Sequence, residues 1–208
     1  MREDLLECLA CPVDAGHPLA LHAETRAAGA VQECDLRCPR CDSRFAIEAG
    51  IARLLDHDRL PEVKKEEGDG SSGSELPPRL QGRAGTSLRI RCCADRGGRL
   101  QWAPCLGRGL RLGQMTAAVH GARDVVAMDL AGEGLAHFRT PPGLSVDLVQ
   151  ADASRMPFRK GVFDLAISCQ LLEHVHSQER RGAFFAQLAA ALRGGGRAVI
   201  TTYNWDRG

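Results

Sequence analysis

The chain has 208 residues, enough for one medium domain beside a small one. Its 27 Lys+Arg nearly cancel its 26 Asp+Glu, so there is no global basic field that would require a nucleic-acid partner, nor one that excludes it. No apolar run reaches the roughly 18–20 residues of a membrane span. The opening Met1-Arg2-Glu3-Asp4 also lacks the basic-then-apolar pattern of a secretory signal. The expectation is a soluble, cytoplasmic protein with no membrane partner.

Nine cysteines are many for a reducing compartment, where clustered thiols indicate metal more often than disulfides. Residues 1–56 carry two Cys-x-x-Cys pairs, Cys8-Leu9-Ala10-Cys11 and Cys38-Pro39-Arg40-Cys41. A two-residue gap lets both sulfurs of one turn reach a single ion, and two such knuckles supply four thiolates to a tetrahedral zinc. Such a closed site is structural. In a unit this small the ion contributes directly to folding. Cys34 is left over and reads as a packing residue.

The text around the pairs runs Leu5-Leu6-Glu7-Cys8-Leu9-Ala10-Cys11-Pro12, then Pro18-Leu19, Leu36-Arg37-Cys38, and Phe45-Ala46-Ile47-Glu48-Ala49-Gly50-Ile51-Ala52. It resembles the zinc-ribbon family of the methyltransferase-activating subunit. Phe45-Ala46 stands where that family has Tyr-Pro, and Ala52 where it has a second proline. The resemblance implies a module that supports a methyltransferase domain or helps present its substrate.

Residues 57–87 read as a flexible linker: Lys64-Lys65-Glu66-Glu67, then Gly68-Asp69-Gly70-Ser71-Ser72-Gly73-Ser74, then Pro77-Pro78. Residues 88–208 form the larger unit. A short helical stretch is expected over 114–120. Asp124–Leu130 is an apolar run ending near an acid, as in a buried parallel strand. A weak helix over Gly132–Phe138 follows, then strands over Ser145–Ala151 and Val162–Ser168. The helix Gln178–Leu192 has Phe184, Phe185, Leu188, Ala191 and Leu192 at helical spacing. Gly194-Gly195-Gly196 is expected to cap it, and a strand follows over Arg197–Thr202. This order predicts a doubly wound, Rossmann-like α/β sheet. Arg180-Arg181 reads as a solvated helix face.

The chemistry-bearing residues sit at strand ends. Asp129 can accept from ribose hydroxyls. In Val149-Gln150-Ala151-Asp152-Ala153-Ser154-Arg155-Met156-Pro157-Phe158 a second acid follows the next strand, where a carboxylate can take an adenine amino group. Phe163-Asp164-Leu165-Ala166-Ile167-Ser168-Cys169-Gln170 and Ala191-Leu192-Arg193-Gly194-Gly195-Gly196 complete the set. Together these blocks resemble class I S-adenosylmethionine-dependent methyltransferases of the type 11 group, from about Gln114 to Thr202. The resemblance implies a ribose site at Asp129 with Leu130 beside it, and an adenine site at Asp152 and Ala153. It implies that Cys169 and Gln170 border the methionine end. Glu173 and His174 read as residues of a helix start, since a good nucleophile beside a sulfonium needs no base; no catalytic residue is assigned.

The resemblance breaks at the glycine motif. Counting back from Asp129, Gly109 and Gly113 take its first and last glycines, but Arg111 occupies the central position and Gly107 that of the acid. Codons compatible with Cys105–Gly113, read one base later, give Val-Leu-Asp-Ala-Gly-Cys-Gly-Ser-Gly, so a shifted reading frame over about Gly82–Leu112 is one explanation and a divergent loop the other. The family's sheet has two further strands after the one at Arg197–Thr202, so the expectation is either a fragment or a chain whose last strands are lost. The expectation is methyl transfer to RNA, a small molecule or a protein, in an unassigned oligomeric state. The alternative is a non-catalytic zinc-ribbon adaptor on a degenerate methyltransferase fold. A dinucleotide dehydrogenase leaves the Pro-Phe and Phe-Asp blocks without a role.

Overall fold

The computed structural model describes residues 1–14, 16–27, 30–56, 99–102, 124–140, 142–143, 145–169, 171–175 and 177–202. The expected linker 57–87 and the helix expected at 114–120 lie outside them.

The first unit opens with a 3-10 turn, Glu3–Glu7, that leads into the first cysteine pair. An antiparallel meander follows: β1 (Ala20–Ala27), β2 (Ala30–Arg37), β3 (Arg44–Glu48) and β4 (Ile51–Arg53). In β3 Phe45 and Ile47 are buried while Arg44 and Glu48 are exposed, the period-two pattern of a half-buried strand. Ala49 and Gly50 join β3 to β4 in a two-residue turn with φ of 49° and 77°, both in the left-handed region.

The second unit comprises β5 (Arg99–Trp102), β6 (Asp124–Asp129), α1 (Gly132–Ala136), β7 (Ser145–Gln150), β8 (Phe163–Cys169), α2 (Gln178–Ala191) and β9 (Leu192–Thr201). All pairings among these strands are parallel, in the order β7-β6-β5-β8-β9. The strands expected over Asp124–Leu130, Ser145–Ala151, Val162–Ser168 and Arg197–Thr202 appear as β6, β7, β8 and β9, and β5 fills the centre of the sheet. Parallel central strands are buried on both faces and favour continuous apolar runs, yet β5 reads Arg-Leu-Gln-Trp. That mismatch falls within the stretch, about Gly82–Leu112, for which a shifted reading frame and a divergent segment are the two explanations.

The two units share one sheet. β4 pairs in parallel with β7 through Ile51 and Leu148, Ala52 and Val149, and Arg53 and Gln150, giving nine strands among the described residues. One apolar cluster crosses the junction. It includes Leu5, Leu9, Leu36, Phe45 and Leu54 from the first unit, and Met128, Val149, Phe158, Phe163 and Phe184 from the second. The Phe158 and Phe163 rings meet edge-on, with centroids 5.0 Å apart, a favoured aromatic geometry.

The end of α2 differs from expectation. The helix stops at Ala191, and Leu192 is already extended, with φ −74° and ψ 137°. The carbonyls of Ala190 and Ala191 accept from the amides of Gly161 and Val162, so the helix end is satisfied by a neighbouring loop instead of a glycine cap. The glycine triplet lies inside β9, where the register with β8 jumps from Phe163–Leu192 to Leu165–Arg197. It forms a bulge there. A Cβ on Gly196 would stand 2.9 Å from the Arg193 carbonyl and 3.2 Å from that of Phe163, so the bulge requires glycine. Among the described residues no helix is long and apolar enough to cross a membrane.

Candidate functional site

Two sites can be built from the described residues. In the first, the sulfurs of Cys11, Cys38 and Cys41 lie within 4.8 Å of one another, with 3.6 Å between Cys11 and Cys41. Four sulfurs at about 2.3 Å from one zinc stand about 3.8 Å apart, so the three thiols fit the ion. Local backbone builds the positions. The Asp14 amide donates to Cys11 Sγ at 3.2 Å. Asp42, at φ 62°, turns the second knuckle so that its amide reaches the Cys38 carbonyl at 3.0 Å and the Cys38 amide reaches that of Ser43 at 2.9 Å. Asp is among the few residues that accept this left-handed backbone. Burial pushes the Cys11 thiol up to about 12, whereas the hydrogen bond with Ser43 holds the exposed Cys41 below its ordinary range. A dication offsets that resistance to multiple thiolates.

The fourth expected ligand, Cys8, is not in the three-sulfur group: its Sγ lies 3.9 Å from the Asp4 carbonyl. Cys34 is buried in β2, with Sγ 3.2 Å from its neighbour's carbonyl at Asp35, consistent with a packing role.

The second site lies at the carboxyl ends of β6 and β7. Asp129 is the last residue of β6, directly opposite Gln150 at the end of β7, and Asp152 follows two residues later. Both acids therefore stand at the same edge, on neighbouring parallel strands, where open α/β sheets bind ligands. Asp129 is buried and its Oδ1 accepts from the Ala131 amide at 2.9 Å. Asp152 caps the turn Ala153–Arg155: Oδ1 accepts from the Ser154 amide and hydroxyl, both at 2.8 Å. Ala153 is buried beside it, and Leu130 is half-buried after Asp129. Cys169 ends β8. Gly109, Gly113 and Gln170 lie outside the described residues.

The first unit braces both loops of this site, through residues that the motifs did not single out. Arg53 of β4 donates to Gln150 Oε1 at 2.7 Å, and Gln150 Nε2 donates to the Leu130 carbonyl at 2.9 Å. The adenine-side loop is held by the first cysteine knuckle. The Ala10 amide donates to the Pro157 carbonyl at 2.9 Å and the Arg159 amide to that of Cys8 at 2.8 Å. Leu9 and Phe158 thereby form an antiparallel bridge. The one available signal was the pairing of an Arg-bearing strand with a Gln before the second acid, which has no meaning until the strands are known to be neighbours.

Arg180 and Arg181 are corrected from a solvated face. Arg180 Nη2 donates to Asp152 Oδ2 at 2.9 Å, and Arg181 Nη1 to the Val175 carbonyl at 2.6 Å. Glu173 Oε2 accepts from Thr202 Oγ1 at 2.9 Å in the 3-10 turn Leu172–His174, and His174 is exposed.

Acids at adjacent parallel strand tips, with a turn after the second, stand where open α/β sheets bind their ligands. Residues 105–200 match the family described as methyltransferase domain. The match begins at Cys105, the first residue of the altered glycine stretch. Two probable S-adenosylmethionine-dependent methyltransferases of Mycobacterium tuberculosis, from strains CDC 1551 / Oshkosh and ATCC 25618 / H37Rv, are each 31% identical over 83 residues, covering 40% of this chain and 29% of the relative. A tRNA (carboxymethyluridine(34)-5-O)-methyltransferase of Xenopus tropicalis is 44% identical over 54 residues, covering 26% of this chain and 8% of that protein. The chain thus spans less than a third of the length of these relatives.

Proposed function

We propose that this chain transfers a methyl group from S-adenosylmethionine to an acceptor still to be identified. Asp129, with Leu130 beside it, takes the ribose hydroxyls. Asp152 takes the adenine amino group, and the Ala153 amide reaches the ring. Cys169 and Gln170 border the methionine end, with Gly109 and Gly113 on the glycine loop. The cofactor supplies an activated methyl on a sulfonium; the residues named bind and orient it, and orientation carries much of the rate in such transfers. The observation that carries this reading is the placement of Asp129 and Asp152 at one edge of adjacent parallel strands, inside a methyltransferase family match.

The first unit is a zinc ribbon in this reading, similar to the activating-subunit family. Cys11, Cys38 and Cys41 hold the ion and Cys8, on the same knuckle, supplies the fourth thiolate. Its role is structural support of the cofactor loops. The tRNA-modifying relative makes RNA the first acceptor class to test, ahead of small molecules and proteins.

A second reading is favoured by Arg111, which stands where the motif's central glycine belongs: a non-catalytic ribbon protein that binds a partner. Calorimetric titration of the zinc-loaded chain with S-adenosylhomocysteine separates the two. Micromolar binding that Asp129→Ala abolishes supports the enzyme. No binding with zinc retained overturns it in favour of the adaptor.

A further inference from the structure

The pair Arg180-Arg181 sits in the first turn of α2, between β8 and β9, far along the chain from the adenine-side loop. Arg180 nevertheless reaches Asp152. The carboxylate's donors can be counted. Oδ1 accepts twice, from the Ser154 amide and hydroxyl. Oδ2 accepts from Arg180 Nη2 at 2.9 Å, with side chains 22% and 18% exposed. A carboxylate has about four acceptor directions, so one is left, on Oδ2. Three donors thus fix the plane of the carboxylate. Helix α2 itself is anchored: Ser177 Oγ accepts from the Arg180 amide at 3.4 Å.

Resting on the cofactor assignment above, we infer that Arg180 is a positioning residue for base selection: it holds the Asp152 carboxylate in a fixed orientation as an acceptor that takes the 6-amino group of an adenosyl ligand and rejects a 6-oxo purine. A 6-oxo group offers an acceptor to an acceptor, and sites built on a specific donor–acceptor match discriminate strongly against ligands that leave them unpaired. Arg180 touches no reacting atom in this scheme. It acts through Asp152 alone.

The test is calorimetric binding of S-adenosylhomocysteine and S-inosylhomocysteine to the full zinc-loaded chain, in wild type, Arg180→Met and Arg180→Lys. The wild type is expected to prefer the adenosyl ligand by about 100-fold or more. Arg180→Met is expected to weaken adenosyl binding by about tenfold, the effect of losing a charge-assisted bond. It should bring the two ligands within a few-fold of each other. Arg180→Lys keeps the charge without the planar fork and is expected to restore part of the preference; it carries the same comparison should Arg180→Met unfold. If Arg180→Met weakens both ligands by one common factor, or neither, the inference is overturned while the cofactor assignment stands. A wild-type chain that binds neither ligand overturns both.

Discussion

Arg2 and Asp147 lie 145 positions apart and form a two-pronged ion pair: Arg2 Nε and Nη2 donate to Asp147 Oδ2 at 3.0 and 2.9 Å, and the Arg2 amide donates to Oδ1 at 2.7 Å. Asp147 is 2% exposed in β7. The first unit thus neutralises an acid buried in the sheet of the second. A buried charge left without its partner costs several kcal/mol, much more than the intact pair contributes. Arg2→Met is therefore expected to destabilise the whole chain by about 3–5 kcal/mol. Adding Asp147→Leu should recover most of the loss. Urea unfolding of the two variants checks both statements; a loss under about 1 kcal/mol for Arg2→Met would contradict them.

Gly132 opens α1 immediately after the ribose-side loop. A Cβ there would stand 2.8 Å from Gln150 Nε2 and closer still to the Arg53 guanidinium. Both are flexible ends, but they are tied to each other and to the Leu130 carbonyl, so moving them breaks the brace. Gly132→Ala is expected to cost about 1–3 kcal/mol, the range of overpacked sites, and to weaken S-adenosylhomocysteine binding. In an Arg53→Ala background the nearer obstruction is gone and Gln150 is released from one of its ties, so the same substitution should cost less. A double-mutant cycle on thermal stability, with a coupling of about 0.5 kcal/mol or more, is the expected result.

Much of this was legible in the chain and some was not, for physical reasons. Runs such as Val125-Val126-Ala127-Met128 announce a buried parallel strand because both faces must be apolar. The two acids and two cysteine pairs announce chemistry through residue type and spacing. The glycine triplet misled, because glycine serves a helix cap and a β-bulge equally well, and only the partner strand decides between them. Arg180 misled because a basic helix face looks solvated until the acid opposite it is placed. Arg2, Arg53 and Asp147 gave no signal that could be used locally: their roles depend on β4 lying beside β7, and no local pattern encodes a pairing between strands so distant in sequence.

The first cysteine knuckle and the loop after Asp152 share two backbone hydrogen bonds, so metal removal should be felt in the second unit. One zinc per chain is expected, lost on Cys11→Ser or Cys38→Ser and retained on Cys34→Ala. Cys8→Ser is the decisive case: a fourth ligand implies a marked fall in zinc affinity, and unchanged affinity limits the site to three thiols. Thiols must lose protons to bind, so affinity should fall as pH is lowered. Chelation is expected to speed hydrogen exchange at the Arg159 amide, which donates to the Cys8 carbonyl. It should also lower the melting temperature in a single transition, because the apolar core is continuous across the junction.

The β3–β4 turn offers a stabilising substitution. Ala49 holds φ 49° and Gly50 φ 77°, the backbone of a type I′ hairpin, in which Asn-Gly is the favoured pair. A side chain with Cβ but no local hydrogen-bonding group strains this region, whereas Asn tolerates it. Ala49 is exposed, so a larger polar side chain meets no packing cost there. Ala49→Asn is expected to raise stability by about 0.5–1 kcal/mol. Because β4 continues directly into the pairing with β7, tightening this hairpin should also slow exchange of the Leu54 amide, which donates to the Gln150 carbonyl. Measured by urea unfolding and hydrogen exchange, a destabilised Ala49→Asn variant would show that the turn does not adopt this backbone in solution.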